Sequence, residues 1–335
     1  MNRSRTLLIS LLIGVVAASG LYLILKPKND YQSGTPGPDV AITVEAGATG
    51  TDIARNLFNN GVTKSIQAFV SVAIKDKLAN RIGPGKHNIQ SHLPAREALI
   101  QLLDQKRVAD QVIIREGTTF SDVLKILKSS KNIDSSLPLK QPRITPFLKN
   151  GKNSLEGQMY PARYSFTPGT PIQSAIQLMA NKFGDEAKKA GLTSGYEKFS
   201  PYAVLTIASM VQIEGDPTDF AKVSRTIYNR LRIGMPLQLN STVQYLANLR
   251  GRIALSTAAT RIDSPYNTYK YGGLPPTPIS NPSLLAIEAS LHPTDGDWLY
   301  FITVKPGDTR FTSQYSQFQE WEVLYQRNLK AGAFK

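Results

Sequence analysis

A largely apolar, uncharged run from Thr6 to Leu25 constrains this chain more than any other feature. About twenty such residues form a helix long enough to cross a bilayer. Basic residues flank the run, with Arg3 and Arg5 before it and Lys26 and Lys28 after it. The sequence therefore predicts a cytoplasmic N-terminus over residues 1–5 and a single transmembrane helix over residues 6–25. The rest of the chain is expected outside the cytoplasm, held at the cell membrane.

A cleaved signal peptide is the alternative, because Ala17, Ala18 and Ser19 offer a small-residue cleavage site. The apolar stretch over residues 21–25 favours the uncleaved anchor, since a cleavable apolar region ends near its cut. Residues 26–39, which are rich in Gly, Pro, Ser and Asp, are expected to be a flexible linker.

Hydrophobic spacing predicts a small β-α-α-β-α module over residues 40–110. The pattern G-x-T-x-x-D-[IV]-x-x-x-L begins at Gly47 in this module and recurs at Gly117. Such a repeat has two interpretations. It is either ordinary strand-turn-helix packing or the mark of a carbohydrate-binding module.

Residues 111–335 are predicted to form a second, mixed domain, so that the fold class is α+β. The strongest pattern is a helix from Pro201 to Ile213 that is apolar on most sides and therefore buried. Further elements are expected in this order: a helix over 217–232, a helix from an Asn281-Pro282 start to His292, a hairpin over 298–312, and a closing helix through Trp321.

Composition excludes several classes of site. The chain has no cysteine, and its three histidines, His87, His92 and His292, show no metal-ligand spacing, so no metal or cofactor is expected. The net charge of +14 favours an anionic partner such as nucleic acid, acidic lipid or an acidic cell-wall polymer. Nucleic acid is not expected, because no recognition motif accompanies the basic residues.

Glu214 stands out on physical grounds. It lies on the same face of the predicted helix as Ala203, Ile207 and Met210, and it falls in the last turn. Burial and the negative end of the helix dipole both disfavour a carboxylate, so its pKa should be raised, as a general acid requires. The alternative is a structural glutamate that pairs with Arg225 or Arg230, or one that frays into solvent.

Several uncommon motifs occur together in a fixed order after the anchor. They are Leu155–Gly157 with Tyr160–Pro161 and Tyr164, Ala208–Glu214, Asn229–Met235 with Leu237–Gln238, Tyr266–Tyr269, Gly273–Pro276 with Pro278–Ile279, His292–Pro293 and Tyr300–Phe301. In order and spacing they resemble the endolytic murein transglycosylases, the YceG-like family.

This resemblance implies that Glu214 is the catalytic residue. It also implies a sugar-binding set, which suits the hydrogen-bonding and stacking chemistry of these side chains. The set consists of Glu156, Arg230, Gln238, Asn240, Tyr266, Asn267, Thr268 and Tyr269. Without the resemblance, Tyr266 and Tyr269 are ordinary half-buried tyrosines. The chain departs from the family pattern at two positions where an acid is frequent, with Gln212 and Asn240 in its place.

The implied reaction cleaves the β-1,4 bond between N-acetylmuramic acid and N-acetylglucosamine within peptidoglycan strands and leaves 1,6-anhydro ends, so that nascent strands are kept short. The first module is similar to the LysM-like domain of the family. Partnership with peptidoglycan synthases is implied by the family alone. The alternatives are an inactive peptidoglycan-binding scaffold, or a hydrolytic muramidase that uses Glu214 with Asp216 or Glu156.

Overall fold

The computed structural model describes residues 29–140, 146–148, 154–246 and 259–334. The chain divides into two compact units between Asp110 and Gln111. The N-terminus predicted to be cytoplasmic and the predicted transmembrane helix fall outside the described residues. No helix in the described part of the chain is long and apolar enough to cross a membrane.

The first unit is a two-stranded antiparallel sheet with three helices. The strands pair Val40 with Ile89 and Ile42 with His87, and Ile42 and Ile89 lie in the core of this unit. The elements are β1 (Asp39–Val44), α1 (Gly50–Asn59), α2 (Ile66–Asp76), β2 (Gly85–Gln90) and α3 (Ala95–Leu103). The predicted β-α-α-β-α order is confirmed, whereas the LysM-like identity of the unit stays a prediction.

Each copy of the repeated motif begins a helix by the same chemistry. Thr49 and Thr119 each accept a hydrogen bond from the amide of the aspartate three residues on. Gly47 and Gly117 precede them with φ angles of +81° and +76°, a conformation that favours glycine. Helix initiation therefore accounts for the repeat without invoking a shared ligand.

The expected linker over residues 26–39 is not a free tether where it is described. The Asp30 carboxylate accepts the Ala95 amide at 3.1 Å. The Gly37 amide donates to the Ser91 carbonyl at 2.8 Å, and the Ser91 amide donates to the Pro38 carbonyl at 2.9 Å. Residues 30–38 therefore belong to the first unit, because they form hydrogen bonds with its backbone groups.

The second unit is a mixed α+β structure, as predicted. Its helices are α4 (Phe120–Ser129), α5 (Ile172–Lys189), α6 (Pro201–Glu214), α7 (Phe220–Arg232), α8 (Asn240–Leu246), α9 (Leu284–Leu291) and α10 (Tyr315–Lys330). Its strands form three pairs, namely β3 (Val112–Ile114) with β5 (Ala162–Tyr164), β4 (Ile133–Asp134) with β6 (Thr170–Pro171), and β7 (Tyr300–Lys305) with β8 (Asp308–Thr312). The first and third pairs are antiparallel and the second is parallel.

Helix α6 runs through the interior of this unit. The side chains from Val204 to Val211 are all buried, as expected for a helix that is apolar on every side. Ser200 caps its first turn and Pro201 occupies its first position. At its other end Gly215 lies so close to α7 that an added Cβ would be 3.1 Å from Val223. The last turn of α6 is thereby fixed against α7.

Two predicted helix starts are wrong. Helix α7 begins at Phe220 and not at Pro217, because the Asp219 amide bonds to the Asp216 carbonyl and forms a separate turn. Helix α9 is capped by Ser283, whose hydroxyl accepts the amide of the residue three positions on, and not by Asn281.

Asn281 points into the unit instead. It is fully buried, its Oδ1 accepts the Met159 amide at 2.8 Å, and its Nδ2 donates to the Thr118 carbonyl at 2.7 Å. The Gly117 amide also donates to the Asn281 carbonyl. Asn281 therefore joins the turn before α4 and the segment around Met159 to the start of α9.

Candidate active site

Glu214 is the last residue of α6, where the buried helix reaches the surface. Its Oε1 accepts the backbone amide of Ser241, in the first turn of α8, at 3.0 Å. The residue keeps part of its surface exposed. The carboxyl group itself is enclosed by protein.

The surroundings of Glu214 favour the protonated acid. Desolvation raises its pKa above the ordinary value and is the largest influence. Hydrogen bonds from Ser241 and the positive charge of Arg230 act in the opposite direction but are weaker. The expected raised pKa is confirmed in direction, and burial is its main cause.

Ser241 is a contact that the sequence analysis missed. The residue is 3% exposed, and its hydroxyl has no hydrogen-bond partner within bonding geometry among the described residues. The hydroxyl is nevertheless near enough to Glu214 to lower the pKa of that acid. The available signal was its position directly after Asn240, which the family resemblance places in the sugar-binding set.

Arg230 is buried and committed to backbone carbonyls. Its Nε donates to the Leu299 carbonyl and its Nη1 to the Leu237 carbonyl, both at 2.6 Å. Its guanidinium also lies over the Tyr300 ring, 5.3 Å from the centroid. Arg230 thus positions β7 and the loop before α8 while it places a positive charge near Glu214.

The loop before α8 is held by Thr268. The Leu239 amide donates to Thr268 Oγ1, and the Gln238 amide donates to the Thr268 carbonyl, both at 3.0 Å. Gln238 has a φ of +49°, which is uncommon for a residue with a side chain, and its side chain is exposed. Of this pair, Gln238 is free to meet a substrate and Thr268 is structural.

Tyr269 and Asn240 meet beside the acid. The Tyr269 hydroxyl donates to Asn240 Oδ1 at 2.6 Å. Burial, and then the nearby Glu214, raise the pKa of Tyr269 to about 12. Asn267 is fully buried and uses its amide to hold two carbonyls of its own loop, so it shapes the loop from within.

Glu156 and Tyr266 lie in a second polar cluster. Glu156 is buried, with Oε1 accepting the Phe120 amide and Oε2 accepting the Tyr245 hydroxyl, both at 3.0 Å. The Tyr266 ring packs 5.3 Å from the Tyr245 ring, and its hydroxyl bonds to Thr277. Glu156 therefore anchors the start of α4 and the end of α8.

Helix α8 connects these two acids. Ser241 and Tyr245 are one turn apart and contact Glu214 and Glu156 respectively. A helix of seven residues thus positions both buried carboxyl groups.

A cleft of about 790 Å³ opens next to the site. Its walls include the turn from Arg115 to Thr118 before α4, together with Ile213 and Gln244. Ile213 directly precedes Glu214, and an added Cβ at Gly117 would be 3.0 Å from Ile213 Cδ1. The cleft is therefore lined by Ile213, the residue that directly precedes Glu214 on α6.

Gln212 stands at a position where the related family often has an acid, and its side-chain amide supports the start of α9. Gln212 Oε1 accepts the Ser283 amide at 2.8 Å, at the start of α9. Among the described residues no group of three or more His, Cys, Asp or Glu side chains is placed to hold a metal ion.

Comparison with known proteins identifies relatives over most of the chain. The sequence profile of the YceG-like family matches residues 42–322. An endolytic murein transglycosylase of Bacillus subtilis is 31% identical over 307 residues, which cover 85% of this chain and 84% of that protein. An endolytic murein transglycosylase of Streptococcus pneumoniae is 32% identical over 68% of this chain, but only 38% of its own length is matched.

A solved structure shares the architecture. The crystal structure of a YceG-like protein from Listeria monocytogenes superposes with a TM-score of 0.56 at 25% identity, covering 84% of this chain and 98% of that one. The profile match over most of the chain and the identity to the Bacillus protein agree with this structural likeness. This chain belongs to the YceG-like family.

Proposed function

We propose that this protein is an endolytic lytic transglycosylase of peptidoglycan. It would cleave the β-1,4 bond between N-acetylmuramic acid and N-acetylglucosamine within a strand and leave a 1,6-anhydro end. The observation that carries the proposal is Glu214, a desolvated acid of raised pKa that directly follows Ile213 in the wall of a cleft. Relatives named endolytic murein transglycosylase support the substrate class.

The reaction needs one carboxyl group in two successive roles. Protonated Glu214 gives its proton to the glycosidic oxygen as the bond to C1 breaks. The resulting carboxylate is stabilised by the Ser241 amide and the charge of Arg230. It then takes the proton of the C6 hydroxyl while that oxygen bonds to C1, which restores the acid and closes the anhydro ring.

The two acids named as partners of Glu214 in hydrolysis, Glu156 and Asp216, have different surroundings, and Glu156 is committed to other contacts. A hydrolase needs a second carboxylate across the sugar from the first. Glu156 accepts hydrogen bonds from Phe120 and Tyr245 and is buried. Asp216 is exposed in the turn beyond α6.

The proposal includes the cellular setting. The protein is a single-pass protein of the cell membrane with its catalytic unit outside the cytoplasm. The first unit is a LysM-like module that holds glycan strands, and the enzyme limits the length of nascent strands beside peptidoglycan synthases. The apolar run from Thr6 to Leu25 and the net charge of +14 support this setting.

Product analysis tests the activity. Purified sacculi are digested with the wild type and with Glu214→Gln, and the fragments are identified by mass spectrometry. The wild type should release anhydro-ended fragments, and the variant should be slower by roughly 10²–10⁴-fold. Reducing ends would identify a hydrolase. Binding to sacculi without any cleavage by the wild type would identify a scaffold.

A further inference from the structure

The hairpin β7–β8 and helix α10 carry an unusual density of aromatic side chains. Both tryptophans of the chain are here. None of these rings is fully buried, so each keeps surface exposed to solvent. The aromatic residues of this region are Trp298, Tyr300, Phe301, Phe311, Tyr315, Phe318, Trp321, Tyr325 and Phe334.

The hairpin divides these rings between its two faces. Phe301 and Phe311 pack against the core beneath α7. Tyr300 points the other way and meets α10, with ring centroids 5.4 Å from both Tyr315 and Phe318. Tyr315 is 55% exposed, although two rings support it. We call Tyr300, Tyr315 and Phe318 the aromatic platform.

The aromatic platform borders Arg230, whose positive charge lies near Glu214. The Arg230 guanidinium lies over the Tyr300 ring and also acts on the pKa of Glu214. On α10, Glu322 follows Tyr315 by seven residues and so lies on the same side of the helix. Burial first, and then the charges of Glu214 and Glu322, raise the pKa of Tyr269.

The charge around the platform narrows the class of ligand. Residues 313–326 contain Glu320 and Glu322 and no lysine or arginine, although the chain as a whole has a net charge of +14. A surface for anionic lipid would instead concentrate basic residues. Exposed tyrosine beside glutamine and serine suits uncharged sugars, whose ring faces stack on aromatic rings while their hydroxyls bond to amides.

We infer that the aromatic platform is a binding subsite for the uncharged sugar rings of a glycan strand, beyond the bond that Glu214 cleaves. This inference rests on the proposed function. Tyr315 provides the stacking surface, while Tyr300 and Phe318 hold its ring in place. Strands that reach the platform are bound more tightly than strands that occupy only the cleavage point.

The first test measures binding without turnover. Glu214→Gln is titrated with peptide-free glycan strands, alone and combined with Tyr315→Ala. The second substitution should weaken binding about threefold to tenfold, and Tyr315→Trp should retain it. Tyr325→Ala is the matched control. Tyr325 lies farther along α10, where its ring pairs with Phe334 beyond the end of the helix, so its removal should leave binding unchanged.

The second test uses the active enzyme and strands of graded length. Tyr315→Ala should raise KM for long strands about threefold to tenfold with kcat unchanged, and should not alter cleavage of the shortest strands that are cut. An equal effect at every length would overturn the inference, because the ring would then act through Arg230. Unchanged KM for long strands would overturn it as well.

Binding to phospholipid vesicles distinguishes a membrane contact from a glycan-binding subsite. If Tyr315→Ala reduces binding to anionic phospholipid vesicles and leaves glycan affinity intact, the platform is a lipid contact and the inference is wrong. Failure of the proposed function is a different result, in which the wild type itself yields no anhydro ends from any strand.

Discussion

At the scale of single residues, Glu214 combines two opposing requirements. The acid must be buried to keep its proton near neutral pH. Once it has given up that proton, however, the same burial destabilises the carboxylate that remains. The Ser241 amide and Arg230 reduce the free-energy cost of burying the carboxylate, but they do not remove it, because burial remains the largest influence on the pKa of Glu214. The residue is therefore expected to weaken the fold that contains it.

Glu214→Gln should raise stability in a pH-dependent way. The folded pKa of Glu214 lies above its unfolded pKa. Both states hold the proton below the unfolded value, so the acid has no penalty there, and the penalty grows as pH rises through the folded pKa. Each unit of elevation corresponds to about 1.4 kcal/mol. Melting temperatures across pH should show a gain that appears above the unfolded pKa and then levels off. An equal gain at every pH would contradict this account.

Ser241→Ala should move the pH profile of the reaction. The Ser241 hydroxyl lowers the pKa of Glu214, so its removal should shift the alkaline limb of kcat to higher pH, where the acid now stays protonated. The backbone hydrogen bond to Glu214 remains. Ser224→Ala is the matched control, since that hydroxyl is also buried without a partner among the described residues but lies on α7. Identical profiles for wild type and Ser241→Ala would exclude the role.

The sequence provides a physical reason to single out the acid, but it provides less information about the acid's neighbours. Glu214 is identifiable because a charged residue on an apolar helix face conflicts with its surroundings. Arg230, Asn267 and Thr268 fall in motifs that also suit sugar binding, but they satisfy backbone groups of the protein. Residue type cannot separate these uses, because an amide or guanidinium recognises a carbonyl of its own chain as readily as a ligand.

At the scale of elements, the motif that starts α1 and α4 serves two different surroundings. Gly47 has open space around it, whereas Gly117 is packed against the residue before Glu214. The φ angles of the two glycines are nearly the same. Substitutions at Gly47 and Gly117 therefore distinguish the effect of backbone strain, which both share, from the effect of packing, which only Gly117 has.

Gly47→Ala and Gly117→Ala should both destabilise the protein by about 1–2 kcal/mol, because both impose a left-handed conformation on alanine. Gly117→Ala should in addition lower activity, since its methyl group would press on Ile213. Urea unfolding and sacculus digestion measure the two effects. Equal activity of both variants would show that this contact does not reach the acid.

Asn281→Ala should be more destabilising than loss of the true cap of α9. It leaves the buried Met159 amide without a partner and should cost about 2–4 kcal/mol. Ser283→Ala removes one capping hydrogen bond and should cost about 1 kcal/mol. The midpoints of denaturant unfolding compare the stability of the two variants. A larger loss of stability for Ser283→Ala than for Asn281→Ala would contradict this account.

Elements were predictable where their signals are local. Capping residues, glycine turns and apolar spacing placed the strands and helices of the first unit and the buried helix α6. The start of α9 was missed because Asn281-Pro282 has the composition of a cap, while the partners of the Asn281 side chain, Met159 and Thr118, lie 122 and 163 residues earlier. A contact of that separation leaves no local pattern.

At the scale of the whole molecule, charge and chemistry are distributed differently. The net charge of +14 belongs to the chain as a whole, whereas residues 313–326, which include Tyr315 and Phe318, contain two glutamates and no lysine or arginine. The general charge would attract the anionic peptides of the cell wall over long range. The platform would bind uncharged sugars by contact.

Salt should therefore weaken only one kind of binding. Binding of Glu214→Gln to intact sacculi should fall several-fold from about 0.05 M to 0.5 M salt, because screening shortens the reach of surface charge. Binding to peptide-free strands should change little over the same range. Co-sedimentation measures both. Equal salt dependence would contradict a division between charge attraction and sugar contact.

Helix α8 also has a pharmacological consequence. Since Ser241 and Tyr245 of α8 contact both interior carboxyl groups, a ligand that displaced α8 would disturb the surroundings of Glu214 and Glu156 together. Such an inhibitor would act on the packing of one short helix and would not need to resemble a carbohydrate.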